Sequence, residues 1–303
     1  MPQNNNKLNL SLIKTIRASY PIKNLESMKK ILVTTDLSHS SKVAVRFAIQ
    51  LASQIGYELT FLYVNTSFII DPFSAVTFVG LPEPDNKKQE QALIKFVHTL
   101  YRQTNKQPDK TTYIAENKLD VSEAILNCAK RIKADYICMS TRGGGLVNKL
   151  LGSHTTRILH DSPIPLLVVP RHYRIKKLST ILYPSDLEKI ETELPLIKKF
   201  ASSFDASIAV YHYDYFTEEE EVNKKLNKIE HKFNSDKVSF HFKKLNPEVS
   251  LLRHLQIDIM TIKPSIITMF AKENRNWLEQ LFQPLKTSEK GFNTRTPMLV
   301  FKK

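Results

Sequence analysis

Glycine is scarce in this chain of 303 residues: seven occur in all, beside fifteen prolines, one tryptophan and two cysteines. So little glycine excludes collagen-like and glycine-rich low-complexity chains. A content of 42% hydrophobic and 24% charged residues belongs to a globular protein that can bury a core, and the length fits two domains. Cys128 and Cys138 are too few for a disulfide framework and have no second pair to complete a zinc site. A reducing cytoplasm is the expected compartment. The longest apolar runs, such as Ile164 to Pro170, fall far short of the roughly 18–20 residues that span a bilayer, so no membrane partner is expected. Also missing are histidines at i, i+4 spacing, the G-x-x-x-x-G-K-[ST] phosphate loop and the G-x-S-x-G elbow. Their absence argues against a zinc enzyme, a P-loop NTPase and an α/β-hydrolase.

Forty-four basic against thirty acidic residues leave a net charge of +14, which raises the question of a nucleic-acid partner. Residues 1–30 contribute +5 and the stretch 171–177, RHYRIKK, adds +4, while 31–170 and 178–303 carry only +3 and +2. Most of the charge therefore sits in a leader and a connection. A basic arm can touch polyanions or an anionic surface; a solvated leader and linker explain it more simply, and nucleic acid is not the expected partner. Residues 1–27 read as a flexible leader and not as a secretory signal, because Lys14 and Arg17 break their hydrophobic patch. Met28 then opens MKKILVTTD, a basic pair followed at once by a strand.

The chain repeats itself. Ile31–Leu37 matches Ile181–Leu187 at an offset of 150, Ala52–Leu62 matches Ala201–Tyr211 at 149, Ala134–Met139 matches Pro264–Met269 at 130, and Pro165–Val168 matches Pro297–Val300 at 132. Order is kept and only the middle shrinks, so two copies of one α/β unit are expected. In the first copy, Ile31–Thr35 is an apolar, branched run suited to a strand buried on both faces. Ala44, Phe47, Ala48, Leu51, Ala52 and Ile55 follow at helical spacing, with Ser40 or Ser41 as N-cap and Gly56 beyond the end. The reading continues as strand 59–64, helix 86–102, strand 111–115, helix 121–132, strand 136–140, helix 152–159 and strand 164–169. Leu187, Ile190, Leu194, Ile197, Ala201 and Phe204 mark the first helix of the second copy, with Pro195 expected near its first turn. Alternating strands and helices predict two tandem, doubly wound, parallel five-stranded sheets of the Rossmann-like α/β class. The boundaries read as 28–170, a linker at 171–177, and 178–303.

Four of the seven glycines, Gly143, Gly144, Gly145 and Gly152, lie within ten residues between a buried strand and a helix. Glycines let a backbone approach a ligand closely, and Gly152-Ser153 brings free amides and a hydroxyl to a helix N-terminus, where anions are favoured. A phosphate chain is the inferred ligand, outside the carboxyl ends of the strands, with Arg142 as a forked cationic contact or a solvated side chain. A tight connection with Ser153 as an ordinary cap is the competing reading.

The opening ILVTTDLS, the glycine loop closing in Gly-Ser and the final PLLVVP strand resemble the universal stress protein family, as a tandem member. The resemblance covers about residues 28–303, strong in the first copy and faint in the second. It implies an adenine nucleotide alpha hydrolase-like fold and a stress-response regulator that binds ATP, with Mg, through the first copy. The family's Gly-x2-Gly-x9-Gly-Ser/Thr pattern is met here with a one-residue deletion that keeps Ser140-Thr-Arg-Gly143. Carried over by position, Asp36 would meet the base or ribose, Val64 would line the adenine pocket, and Ser140, Gly143, Gly145, Gly152, Ser153 and His154 would wrap the phosphates beside Arg142. Asp36 also suits a turn, and Val64 also suits a core. The resemblance further implies antiparallel pairing of the last strands of the two units within one chain, with a homodimer as a further partner.

In the second copy, Glu273-Asn-Arg-Asn-Trp-Leu replaces the glycines, and Pro284 and Leu285 stand in the places of Gly152 and Ser153. Proline donates no N–H and leucine offers no hydroxyl, so no nucleotide is expected there. An enzyme would need a general base beside the γ-phosphate, for which only Asp36 and His154 are candidates. A tandem scaffold without nucleotide and a slow ATP hydrolase are the rival readings. The apolar segment Thr66–Pro82 is read as a cover for the cleft, a partner surface or plain packing.

Overall fold

The computed structural model describes residues 29–66, 86–141, 153–215, 219–233, 236–271 and 295–302. The first half runs β1 (Lys30–Thr35), α1 (Lys42–Ile55), β2 (Glu58–Asn65), α2 (Asn86–Gln103), β3 (Thr111–Asn117), α3 (Val121–Arg131), β4 (Tyr136–Ser140), α4 (Ser153–Asp161) and β5 (Leu166–Val169). The second runs β6 (Thr180–Ser185), α5 (Ile190–Phe204), β7 (Ser207–Asp214), α6 (Glu219–Phe233), β8 (Val238–Lys244), α7 (Leu251–Ile262), β9 (Ile266–Ala271) and β10 (Met298–Lys302). The α/β class with parallel-dominated sheets is as expected. The two five-stranded sets do not stand as separate sheets; they form one sheet of ten strands in the order β3-β2-β1-β4-β5-β10-β9-β6-β7-β8.

The sequence offsets reappear in the pairing. Ile31 lies beside Leu59 and Tyr136, and Ile181 lies beside Ile208 and Ile266; the partners differ by the same 149 and 130 residues as the matched segments. Ile137 pairs with Leu166 as Ile267 pairs with Met298. Register is fixed this firmly because a one-residue slip would carry every buried side chain to the wrong face. All pairs are parallel except at the centre, where Leu166, Leu167 and Val168 lie antiparallel to Val300, Leu299 and Met298. All six are at most 3% exposed, so burying each stabilises the joint by about 1.5–3 kcal/mol.

Helices cover both faces. Residues of α1, α2, α5 and α6 form one core with β1 and β6, and residues of α3, α4 and α7 form the other. The first core runs without a break between halves: Tyr136 of β4 meets Phe200 of α5 edge-on at 5.5 Å, and Tyr57 meets Phe204 at 5.9 Å. The 171–177 connection is tied down more than a solvated linker would be. Tyr173 packs edge-on against Phe47 at 5.2 Å and donates to Gln50 Oε1 at 2.7 Å, and Lys176 donates to the carbonyl of Lys263 in the second half.

Local expectations differ in four places. Gly56 closes α1 in the left-handed region at φ 74°, as expected, and Ser41 holds the N-cap position, yet its hydroxyl caps no helix amide because it bonds Thr35 instead. Pro195 falls in the second turn of α5, because α5 begins two residues earlier than α1 under the 150-residue offset. Leu187 is not helical; it turns the chain at φ 63°. Strand β5 is also shorter than the expected 164–169.

Candidate functional site

In the order β3-β2-β1-β4-β5 the chain winds outward in opposite directions on either side of β1 and β4. The helices after β1 and β3 therefore fall on opposite faces of the sheet, and the switch point, where open α/β sheets form a crevice and hold their ligands, lies at the carboxyl ends of β1 and β4.

One wall is the turn after β1. Thr35 Oγ1 accepts from the amide of Leu37 at 3.0 Å, and Asp36 Oδ1 accepts from the amide of Ser38 at 3.0 Å. These bonds hold Leu37 at φ 60°. The hydroxyls of Thr35 and Ser41 lie 2.8 Å apart, and the Ser41 hydroxyl donates to the carbonyl of Ser38 at 3.0 Å, so the turn is locked to the start of α1. Asp36 itself is exposed at the mouth.

The other wall is the end of β4 and the start of α4. Ser140 is buried, and its carbonyl accepts from the Thr155 hydroxyl at 3.3 Å, which holds the amino end of α4 against β4. Ser153 is the first residue of that helix. The next, His154, is exposed and places Nδ1 3.1 Å from the hydroxyl of Ser122 at the amino end of α3. Arg142, Gly143, Gly145 and Gly152, like the apolar segment 67–82 and the replaced loop at 273–285, lie outside the described residues. Val64, near the end of β2, is half-buried and packs against the α3/α4 core, on the strand that pairs with β1.

Sequence reasoning passed over the polar groups that brace this rim. Asp120 caps α3 by accepting from the amide of Glu123 at 3.1 Å and pairs with Arg157 of α4 at 2.6 Å. The Glu123 amide, followed by Arg157, holds the Asp120 carboxyl below the usual range, and Asp120 in turn raises Arg157. Asn117 accepts from Asn65 at 2.9 Å and from Gln89 at 3.1 Å, closing β2, β3 and α2 at the same end of the sheet. The Asp120-x-x-Glu123 spacing was a cap signal in the sequence; the asparagines carried none. Burial pushes the Cys128 thiol up to about 11 and raises Cys138 further, so neither is a nucleophile at neutral pH. Among the described residues no three histidine, cysteine or carboxylate side chains gather to hold a metal, and no helix is long and apolar enough to cross a membrane.

The second half builds the same turn. Ser185 Oγ accepts from the Leu187 amide at 3.1 Å, Asp186 Oδ1 accepts from the Glu188 amide at 3.0 Å, and Leu187 has the same positive φ as Leu37. The difference lies behind it. Where β1 carries Val33, β6 carries Tyr183, 2% exposed, whose hydroxyl donates to buried Glu193 and accepts from Ser185 Oγ at 3.1 Å. Burial, and then Glu193, raise the Tyr183 phenol far above its ordinary value.

Comparison with known proteins settles the family. The profile of the universal stress protein family matches residues 28–170, and a universal stress protein of Methanocaldococcus jannaschii is 31% identical over 162 residues, covering 50% of this chain and 87% of the relative. The chain belongs to the universal stress protein family. Among solved structures, a universal stress protein of Archaeoglobus fulgidus superposes with a TM-score of 0.65 at 16% identity, covering 91% of this chain and 99% of the other. A Pseudomonas aeruginosa protein of unknown function gives a TM-score of 0.58 at 12% identity over 91% and 93%. Both likenesses extend the shared fold across the two halves of this universal stress protein.

Proposed function

We propose that the first half binds an adenine nucleotide, ATP in the first instance, at the carboxyl ends of β1 and β4, and that the chain acts as a cytoplasmic regulator of the stress response whose second half is structural. The observation that carries this reading is the anchoring of α4: the Thr155 hydroxyl on the Ser140 carbonyl sets the start of that helix, Ser153, beside the crevice. The first amides of a helix are unpaired within it and favour anions. The donor set fits a phosphate chain. Gly143, Gly145, Gly152, Ser153 and His154 would surround the phosphates with Ser140 and Arg142, while Asp36 at the mouth and half-buried Val64 would meet the ribose and base. Magnesium, where it accompanies ATP, would enter on the phosphates.

Calorimetric titration of ATP into the wild-type protein and Gly152→Pro tests this. Saturable binding that the substitution abolishes is the expected result; equal heats from both proteins would refute it. The scaffold reading draws support from Asp36, whose bond to the Ser38 amide is matched by Asp186 in the half without a glycine loop, and it would follow from the absence of binding in both proteins. Phosphate release no faster from wild type than from Gly152→Pro would remove the hydrolase reading.

A further inference from the structure

The outer edge of β3 ends the sheet, and among the described residues no strand pairs with it. In a parallel ladder alternate residues turn both backbone groups to the same side. The Lys110 carbonyl and the Lys118 amide bond inward to β2, so the even-numbered residues face β2, and Thr111, Tyr113, Ala115 and Asn117 direct their N–H and C=O groups outward. Their side chains lie on the α2 face of the sheet: Thr111 meets Tyr101, and Asn117 meets Gln89.

The flank of α2 beside this edge is cationic. Gln91, Ile94, Lys95, His98 and Arg102 line an open groove of about 450 Å³. Lys95 and Arg102 lie two turns apart, about 10 Å along the helix axis, with His98 between them over the ring of Tyr113 at 6.0 Å. All three are exposed, and none forms an ion pair with a described carboxylate. The sequence from 86 to 110 holds six basic residues and two acidic ones, Glu90 and Asp109. Like charges on one helix face repel, which leaves the flank poised for an anionic partner. The opposite edge differs: β8 is flanked by α6, whose Glu220 and Lys224 neutralise each other at 2.7 Å.

We infer that the edge of β3 and the cationic flank of α2 together form a docking site for an acidic peptide segment in extended conformation. The segment would add an eleventh strand by main-chain bonds to Thr111, Tyr113, Ala115 and Asn117. Strand addition of this kind takes affinity from the backbone and specificity from alternate side chains. Here every second side chain, about 6.7 Å apart, would face Lys95, His98 and Arg102, and carboxylates at those positions match them. The buried Tyr113 hydroxyl, which has no partner among the described residues, lies under the same groove.

A fluorescent eight-residue peptide alternating glutamate with threonine and valine, titrated into the full chain at low salt, tests this by anisotropy. The expected result is saturable binding, weakened at least tenfold by Lys95→Glu with Arg102→Glu, absent for the same peptide with lysine in place of glutamate, and weakened by rising salt. Ala115→Pro removes one outward amide without touching the charges, and is expected to weaken binding several-fold; proline is tolerated on the open side of an edge strand. Hydrogen exchange at the amides of Thr111, Tyr113, Ala115 and Asn117 should slow on binding. Unchanged affinity in either variant, no protection at these amides, or tighter binding of a single-stranded oligonucleotide of equal length would overturn the proposal. ATP titration of the same variants keeps this result separate from the nucleotide reading, because neither substitution lies at the ends of β1 and β4.

Discussion

The two halves of the sheet agree in register and in the turn that follows their first strands, and they part at the residue behind that turn. Val33 fills only its own share of the first core, whereas Tyr183 fills the equivalent place and reaches Glu193 and Ser185 with its hydroxyl. The lesson is that the Thr/Ser-Asp-Leu turn belongs to the fold, since it persists where no glycine loop follows it. What separates the two halves here is how the space behind that turn is filled, by Val33 alone in one and by Tyr183 with Glu193 in the other.

The comparison breaks most visibly if the halves prove independent. Phe200 of α5 is fully buried against Tyr136 of β4; Phe200→Ala is expected to cost about 3–5 kcal/mol and to lower the stability of both halves in a single urea transition. Two separate transitions, with only the second half shifted, would show that the shared core does not couple them. A smaller effect is expected at the divergent position itself. Tyr183→Val leaves a cavity and removes the phenol from Glu193, at about 2–4 kcal/mol, while Val33→Tyr in the first half overpacks the core at about 1–3 kcal/mol and should weaken ATP binding. The shared turn gives a finer test: Thr35→Val and Ser185→Ala should each cost about 1–2 kcal/mol by thermal unfolding. Unequal costs would mean that the two turns differ in more than sequence.

The smallest effect is on the acid side. The Asp120 carboxyl lies below its ordinary value because it accepts from the Glu123 amide and from Arg157, and Asp161 is lowered first by His160. A depressed carboxyl adds stability above its unfolded value of about 3.9, and that stability is lost as pH falls through the folded value. Asp120→Asn should therefore lower the thermal midpoint at neutral pH and flatten its fall below about pH 4, a change read from melting curves across that range.

Periodicity made most of the fold legible. Buried parallel strands are continuous branched runs, and the helices of the first half kept their apolar residues at three- and four-residue spacing, so the elements of the first half were placed within about two residues, while α6, β8 and α7 of the second half were not delimited. The merging of ten strands into one sheet was not legible from composition or periodicity, because it depends on which edges meet; only the family resemblance implied that the last strands of the two units pair antiparallel within the chain. Glu193 was hidden for a different reason: a glutamate on an otherwise apolar helix reads as solvent-facing until the partner that satisfies it, ten residues away in sequence, is seen. Ser41, one of the two N-cap candidates with Ser40, holds that position but makes a different bond, since a hydroxyl at an N-cap position can serve a neighbouring strand end as well as a helix amide. Of the candidate site, Asp36, Val64, Ser140, Ser153 and His154 fall at the ends of the first-half strands or the start of α4, and the rim formed by Asp120, Ser122 and Asn117 emerged only from geometry.

Stoichiometry is the most direct test of the account. Equilibrium dialysis of the purified chain against ATP should give one nucleotide per chain, reduced to none by Gly152→Pro and unaffected by Tyr183→Val. Two nucleotides per chain, or one that survives Gly152→Pro, would contradict the assignment of binding to the first half.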